Sequence, residues 1–175
     1  MTTLQTSRLK LIPYCLADVD ALYAVMKDER VMRHIAHGAM TREEVTELVE
    51  RDVKRWQEIG MGWWTIREKS DDRVIGQICL KPVTELPEIE VGFALEPNAW
   101  GRGFAEEALT DVLRHGWEDR GLNRVVALVR RENLHSIKLL ERCGFAFETE
   151  LVLRKRTLFL YSIKSQLPIS SPSLS

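Results

Sequence analysis

Two glycines flank an arginine at the mouth of a helix-forming stretch: Glu96 to Leu109 is EPNAWGRGFAEEAL. A proline and an asparagine lead into Trp100-Gly101-Arg102-Gly103, and an amphipathic run follows without a break. The first N–H groups of a helix find no partner inside it. Together with the helix dipole they attract anions. Glycines at such a place keep side chains from holding a phosphate away from the backbone. The stretch is therefore either an anion cradle or a tight turn with no ligand. It is not a P-loop, because no Gly-Lys-Ser/Thr closes it. It is not a dinucleotide fingerprint either, because Glu106 stands where the third glycine belongs.

Other reactive residue types are sparse. The cysteines, Cys15, Cys79 and Cys143, are far apart and form no CxxC pair. That spacing predicts no disulfide framework and fits a reduced, cytoplasmic setting. The histidines make no metal-ligand spacing with cysteine or carboxylate, so no metal site is expected; His34 and His37 fall in a predicted loop. With a formal net charge of -1, no global basic field draws the chain to nucleic acid or an anionic membrane, so anion binding must be local. No apolar run approaches the roughly 20 residues of a membrane span, and MTTLQTSRLK has no apolar signal core. Hydrophobic residues at 45% and charged residues at 29% support a folded core, and 175 residues fit one domain.

The elements that would hold the cradle follow from periodicity. Arg8 to Tyr14 alternates as an edge strand would, and Pro13 suits an edge. Val19, Leu22, Tyr23 and Met26 recur at helical spacing. Thr41 and Glu44 form a capping-box pattern, opening a helix that runs to about Glu58 before Gly60 and Gly62 stop it. GWWTIREK and RVIGQICLK, separated by SDD, predict a hairpin, and Glu88 to Leu95 a third strand. After the cradle helix, Arg124 to Arg130 is apolar enough for a strand buried on both faces. Asn133 to Cys143 is a short helix with Gly144 as its cap, and Phe145 packs back on it. Two closing strands follow. The order is β-α-α-β-β-β-α-β-α-β-β, which predicts a mixed α/β sheet with helices on both faces. Residues 1–165 form the domain, and 166–175, rich in serine and proline, form a flexible tail.

EIEVGFAL, WGRGFA and NLHSIKLLERCGF, in that order and spacing, resemble the GNAT acetyltransferase superfamily. Within it they are similar to the branch of the bacterial ribosomal-protein N-terminal (alanine/serine) acetyltransferases, as is TSRLKL near the start. The resemblance covers about Thr6 to Lys164. It implies the GNAT fold, a mixed, mostly antiparallel sheet of about seven strands with about four helices on both faces.

The resemblance also implies roles. Acetyl-CoA is the cofactor, its diphosphate facing the turn Trp100, Gly101, Arg102, Gly103, Phe104, Ala105 and Glu106. Trp100 stands where the family usually has Gln or Arg, and Arg102 adds charge or is solvated. The pantetheine arm pairs with Phe93, Ala94 and Leu95, where a backbone N–H polarises the thioester carbonyl. Asn133 hydrogen-bonds the arm or a water, or serves as a helix N-cap. Ser136 lies near the sulfur or is a plain surface serine. Leu140 replaces a tyrosine that many members use to protonate the leaving thiolate; a thiol of pKa about 8.5 leaves tolerably without it. Glu90 is the candidate base, acting through a water, or else a solvent-facing strand residue. Cys79 and Cys143 are structural, since direct attack needs no covalent intermediate.

The function so implied is acetyl transfer to an amine, either a protein N-terminus or a small molecule. A non-catalytic acyl-CoA-binding module is the alternative, and a nucleotide-binding domain a third. The acceptor is expected between Val31–Met40 and the hairpin carrying Arg154, Lys155 and Arg156, whose charge argues against polyamines and polycationic drugs. Monomer and homodimer are both open.

Overall fold

In the computed structural model, residues 1–153 and 155–166 are described, and they form one mixed sheet of eight strands. The strands are β1 (Leu4–Gln5), β2 (Leu9–Pro13), β3 (Gly62–Glu68), β4 (Val74–Pro82), β5 (Ile89–Leu95), β6 (Arg124–Val129), β7 (Ala146–Leu153) and β8 (Arg156–Lys164). The helices are α1 (Val19–Met26), α2 (Glu29–Met32), α3 (Arg42–Ile59), α4 (Phe104–Glu118) and α5 (Leu134–Arg142). Spatial order is β1-β2-β3-β4-β5-β6-β8-β7, antiparallel throughout except for β5 beside β6. The mixed, mostly antiparallel architecture is the expected one. The additions are the two-residue β1 and the single-turn α2.

Local signals act where the sequence places them. Thr41 Oγ1 accepts from Glu44 N at 3.2 Å and Glu44 Oε2 accepts from Thr41 N at 2.7 Å, so both halves of the capping box form. Gly60 ends α3 in the left-handed region at φ 66°. The SDD turn between β3 and β4 places Asp72 at φ 58°, a conformation aspartate tolerates. At the end of α5, Phe145 N donates to Leu140 O and Gly144 N to Glu141 O, each at 3.0 Å. That is a Schellman closure, and it leaves Phe145 buried.

The edge assignment of β2 is corrected. The edges are β1 and β7, and β2 lies one strand in. Pro13 survives there because β1 pairs only with Lys10 and Leu11, so nothing on that side needs its missing N–H. The tail boundary falls on residues 166–175, of which only Gln166 is described; before it, Ser165 N donates to Asn123 O at 2.9 Å.

Helices cover both faces. One core joins α4 and α5, through Leu109, Val112, Ile137 and Leu140, to Trp64, Ile78, Val91 and Leu95. The other joins α1, α2 and most of α3 to Tyr14, Val74 and Ala94. The functional consequence lies between β5 and β6. They are bridged at a single pair, Glu90 with Val126, and beyond it the two strands part.

Candidate active site

The mouth of α4 is built by two left-handed glycines. Gly101 sits at φ 71° and Gly103, the N-cap, at φ 78°, conformations that side chains other than glycine's resist. Among the described residues no side chain caps the helix. Glu107 N reaches Gly103 O at 3.1 Å, but the amides from Gly101 to Glu106 have no acceptor among the described residues. A Cβ added at Gly101 would meet no atom within 4 Å, so the turn is open on that side. A shallow groove of about 600 Å³ starts at Gly103 and runs beside Glu106, Thr110, Asp111 and Arg114. Successive free amides at a helix N-terminus suit a diphosphate, so the residues present fit coenzyme A.

The turn carries two side chains whose roles the sequence left open. Trp100 is 51% exposed, yet its Nε1 donates to Leu95 O at 2.7 Å, pinning the turn to the end of β5. Arg102 does not offer a free charge: its Nη2 pairs with Glu68 Oε1 at 2.5 Å and its guanidinium lies over the Phe104 ring at 4.4 Å. Phe104 is buried, Ala105 half-buried, and Glu106 is exposed and paired with Arg142 at 3.2 Å.

The splay beside β5 exposes backbone. Glu96 N donates to Ile75 O of β4 at 2.9 Å. Amide direction alternates along a strand, so Ala94 N–H shares that side, while those of Phe93 and Leu95 turn away from β4. They face the space β6 has vacated. This is the free strand edge that an extended chain could join.

Glu90 stands at the one bridge to β6, where the splay begins, and is half-buried. It does not stand alone: Lys81, its register partner on β4, donates to its Oε1. Glu88 is likewise engaged, by Arg124 at 3.2 Å. Across the gap, Asn133 caps α5, its Oδ1 accepting Ser136 N at 3.3 Å. The N-cap role is thus observed, and its Nδ2 is left over. Ser136 is half-buried, and its Oγ has no partner among the described residues. Leu140 is 1% exposed and packs into the core beneath α5. Burial pushes the Cys79 thiol well up, with Glu90 adding to it and Lys81 opposing. Burial also raises Cys143, helped by Glu106. Neither thiol is primed as a nucleophile.

At the segment Val31–Met40, Arg130, just past β6, donates through Nη1 to Arg33 O at 3.1 Å and through Nη2 to Ala36 O at 2.9 Å. It thereby holds the loop that includes His34. Burial lowers the His34 pKa first, and Arg33 and Arg130 lower it further against Glu132. Of the hairpin cluster, Arg154 lies outside the described residues, and Lys155 sits at φ 60°. Among the described residues no cluster of His, Cys, Asp and Glu could hold a metal, and no helix is long and apolar enough to cross a membrane.

Sequence reasoning missed Lys81, Arg130 and the pair Arg8–Glu107. Arg8 lies in the TSRLKL stretch, but nothing in that stretch points to a partner 99 residues on. Lys81 was findable in principle, since it lies in the strand expected to pair with the one bearing Glu90.

The chain from residue 8 to 146 matches the family model described as Acetyltransferase (GNAT) domain. It is 32% identical over 156 residues to the uncharacterized N-acetyltransferase p20 of Bacillus licheniformis, covering 88% of this chain and 86% of that one. It superposes on an acetyltransferase from Agrobacterium tumefaciens with a TM-score of 0.82 at 28% identity, covering 94% and 95% of the two chains. The RimL ribosomal L7/L12 alpha-N-protein acetyltransferase, solved with coenzyme A, superposes with a TM-score of 0.79 over 93% and 98%. At 16% identity that last likeness is one of fold alone. A family model spanning this much of the chain, free amides at the α4 mouth and the splayed β5 edge agree, and the chain belongs to the GNAT acetyltransferases, acyltransferases that act on amines.

Proposed function

We propose that this protein is an acetyl-CoA-dependent N-acetyltransferase whose acceptor is an α-amine, as in the branch acting on protein N-termini. One coincidence carries the reading. The free amides of Gly101 to Glu106 and the free edge of Phe93 and Leu95 adjoin through the Pro97–Ala99 turn, which Trp100 ties to Leu95. A diphosphate at the first would lead its arm along the second.

Acetyl-CoA supplies an activated thioester, and the chain orients it. The Phe93 N–H faces the gap and is placed to donate to the thioester oxygen as charge gathers there. In this reading Asn133 Nδ2 steadies the arm, and Ser136 Oγ serves as a donor toward the sulfur. An acceptor must arrive neutral to attack. At pH 7 roughly a tenth of an α-amine is neutral, against about one part in a few thousand for lysine. Glu90 takes up the displaced proton through a water, with Lys81 fixing its carboxylate. The guanidiniums of Arg33 and Arg130 at the loop that includes His34 favour an acceptor carrying negative charge near its amine and disfavour polycations.

Release of free thiol across peptides, amino acids, polyamines and aminoglycosides tests this. Turnover should be highest on peptide N-termini bearing an acidic residue and absent on polyamines. Turnover confined to polyamines would overturn the acceptor reading, and a failure of coenzyme A to protect the fold against heat would overturn the cofactor reading.

A further inference from the structure

The N-terminal hairpin meets the mouth of α4 at a single carboxylate. Glu107 Oε1 accepts from Thr6 Oγ1 at 2.5 Å, Ser7 Oγ at 3.0 Å and Arg8 N at 2.8 Å. Its Oε2 accepts from Arg8 Nε at 2.7 Å and lies 2.7 Å from Arg8 Nη2. The turn is stapled from its other side as well. Lys69 N donates to Arg8 O at 2.8 Å, Lys69 Nζ to Thr6 O at 2.6 Å, and Leu9 N to Thr6 Oγ1 at 2.9 Å. This is far more fixing than a two-residue edge strand needs. Its product is the position of one guanidinium. Arg8 lies over the Phe104 ring at 4.5 Å, and its Nη1 donates to Arg102 O at 2.9 Å.

That bond has a geometric consequence. In a planar trans peptide the carbonyl of one residue and the N–H of the next point in opposite directions. Arg8 draws the Arg102 carbonyl to itself and thereby turns the Gly103 N–H away from it. Arg8 also occupies the flank of the N-cap, its Nη2 lying 3.4 Å from where a Cβ on Gly103 would be. Its charge is matched by Glu107, so what Arg8 supplies beside the amides is the placement of the Arg102 carbonyl. The guanidinium of Arg102, the arginine inside the motif, is turned to Glu68 instead.

We propose that Arg8 is a positioning residue of the cofactor site: it aims the Gly103 amide into the diphosphate cradle and, with Glu107, makes the N-terminal hairpin a working part of that cradle. The inference rests on the α4 mouth being the diphosphate site. Calorimetry with coenzyme A and ¹⁵N–¹H spectra of the backbone amides, on the wild type, Arg8→Ala and Arg8→Lys, test it. In the wild type coenzyme A should shift the amides of Gly103 and Phe93. Arg8→Ala should bind coenzyme A about tenfold more weakly, with the Gly103 shift lost and the Phe93 shift kept at saturation. Arg8→Lys keeps the charge but cannot reach Glu107 and Arg102 O together, and it should still bind several-fold more weakly. If Arg8→Ala fails to fold, Arg8→Lys decides alone. Wild-type affinity in either folded variant, or an unchanged Gly103 shift in Arg8→Ala, overturns the proposal. A wild-type Gly103 amide that ignores coenzyme A sinks the cradle itself, whatever Arg8 does.

Discussion

Lys81 donates to Glu90 across the β4–β5 ladder, so the carboxylate nearest the splay in the sheet is already half of an ion pair. A carboxylate so held keeps its orientation, and its second oxygen remains for a water. Glu90→Gln should leave coenzyme A binding intact and lower turnover by about 10–100-fold at pH 6.5. The deficit should shrink above pH 8.5, where an α-amine is neutral unaided. Equal rates at every pH would remove Glu90 from the mechanism. Lys81→Met should reproduce part of the loss, because it frees the carboxylate to rotate.

The two glycines of the turn should respond differently. Gly103→Val places a β-branched residue at φ 78° with its Cβ 3.4 Å from Arg8, and should abolish coenzyme A binding. Gly101→Ala meets no atom within 4 Å, so its cost is backbone strain alone, about 1–2 kcal/mol. Melting temperatures and calorimetry separate the cases. A Gly103→Val variant that binds normally would show that the amides are not the ligand's donors.

Acid should loosen the hairpin–helix clasp. Burial acts to raise the Glu107 carboxyl, but hydrogen bonds from Thr6, Arg8 and Ser7 outweigh it and lower it from 4.5 to about 2. Arg124, then Ser162, lowers Glu148 likewise to about 2. Both groups bind protons more readily when unfolded, so their stabilisation is full above about pH 4.5 and is lost as pH falls toward 2. Urea unfolding at pH 5, 4 and 3 should show stability dropping, and Glu107→Gln should flatten the slope. At pH 7 that variant should melt about 2–8 °C lower.

Thiol labelling should rank the cysteines. Cys15 is exposed, Cys143 partly covered and Cys79 buried. Ellman's reagent should therefore modify them in that order, reaching Cys79 only on unfolding. Cys79→Ala should keep its turnover, since no acyl-cysteine is required. A dead but folded Cys79→Ala would argue for covalent catalysis instead.

The sequence by itself determined the features written in consecutive residues. The capping box at Thr41 and Glu44, the stop at Gly60, the glycines opening α4 and the Schellman closure at Phe145 are all short-range, and all stand where periodicity and turn chemistry put them. The motif order carried the family as well. Tertiary structure decided which charges are free. From its place in the motif Arg102 could add charge to the cradle or lie in solvent, yet Glu68, 34 residues earlier, claims it. Glu90 was open as a base or as a solvent-facing strand residue, and β4 brought Lys81 beside it. Arg8, about 100 positions from the helix it serves, reaches that helix only because the sheet folds the N-terminal hairpin against α4. The physical reason is one of range. Caps and turns close within a few residues, so composition and spacing fix them. An ion pair depends on which strands lie side by side, and only the packed sheet specifies that.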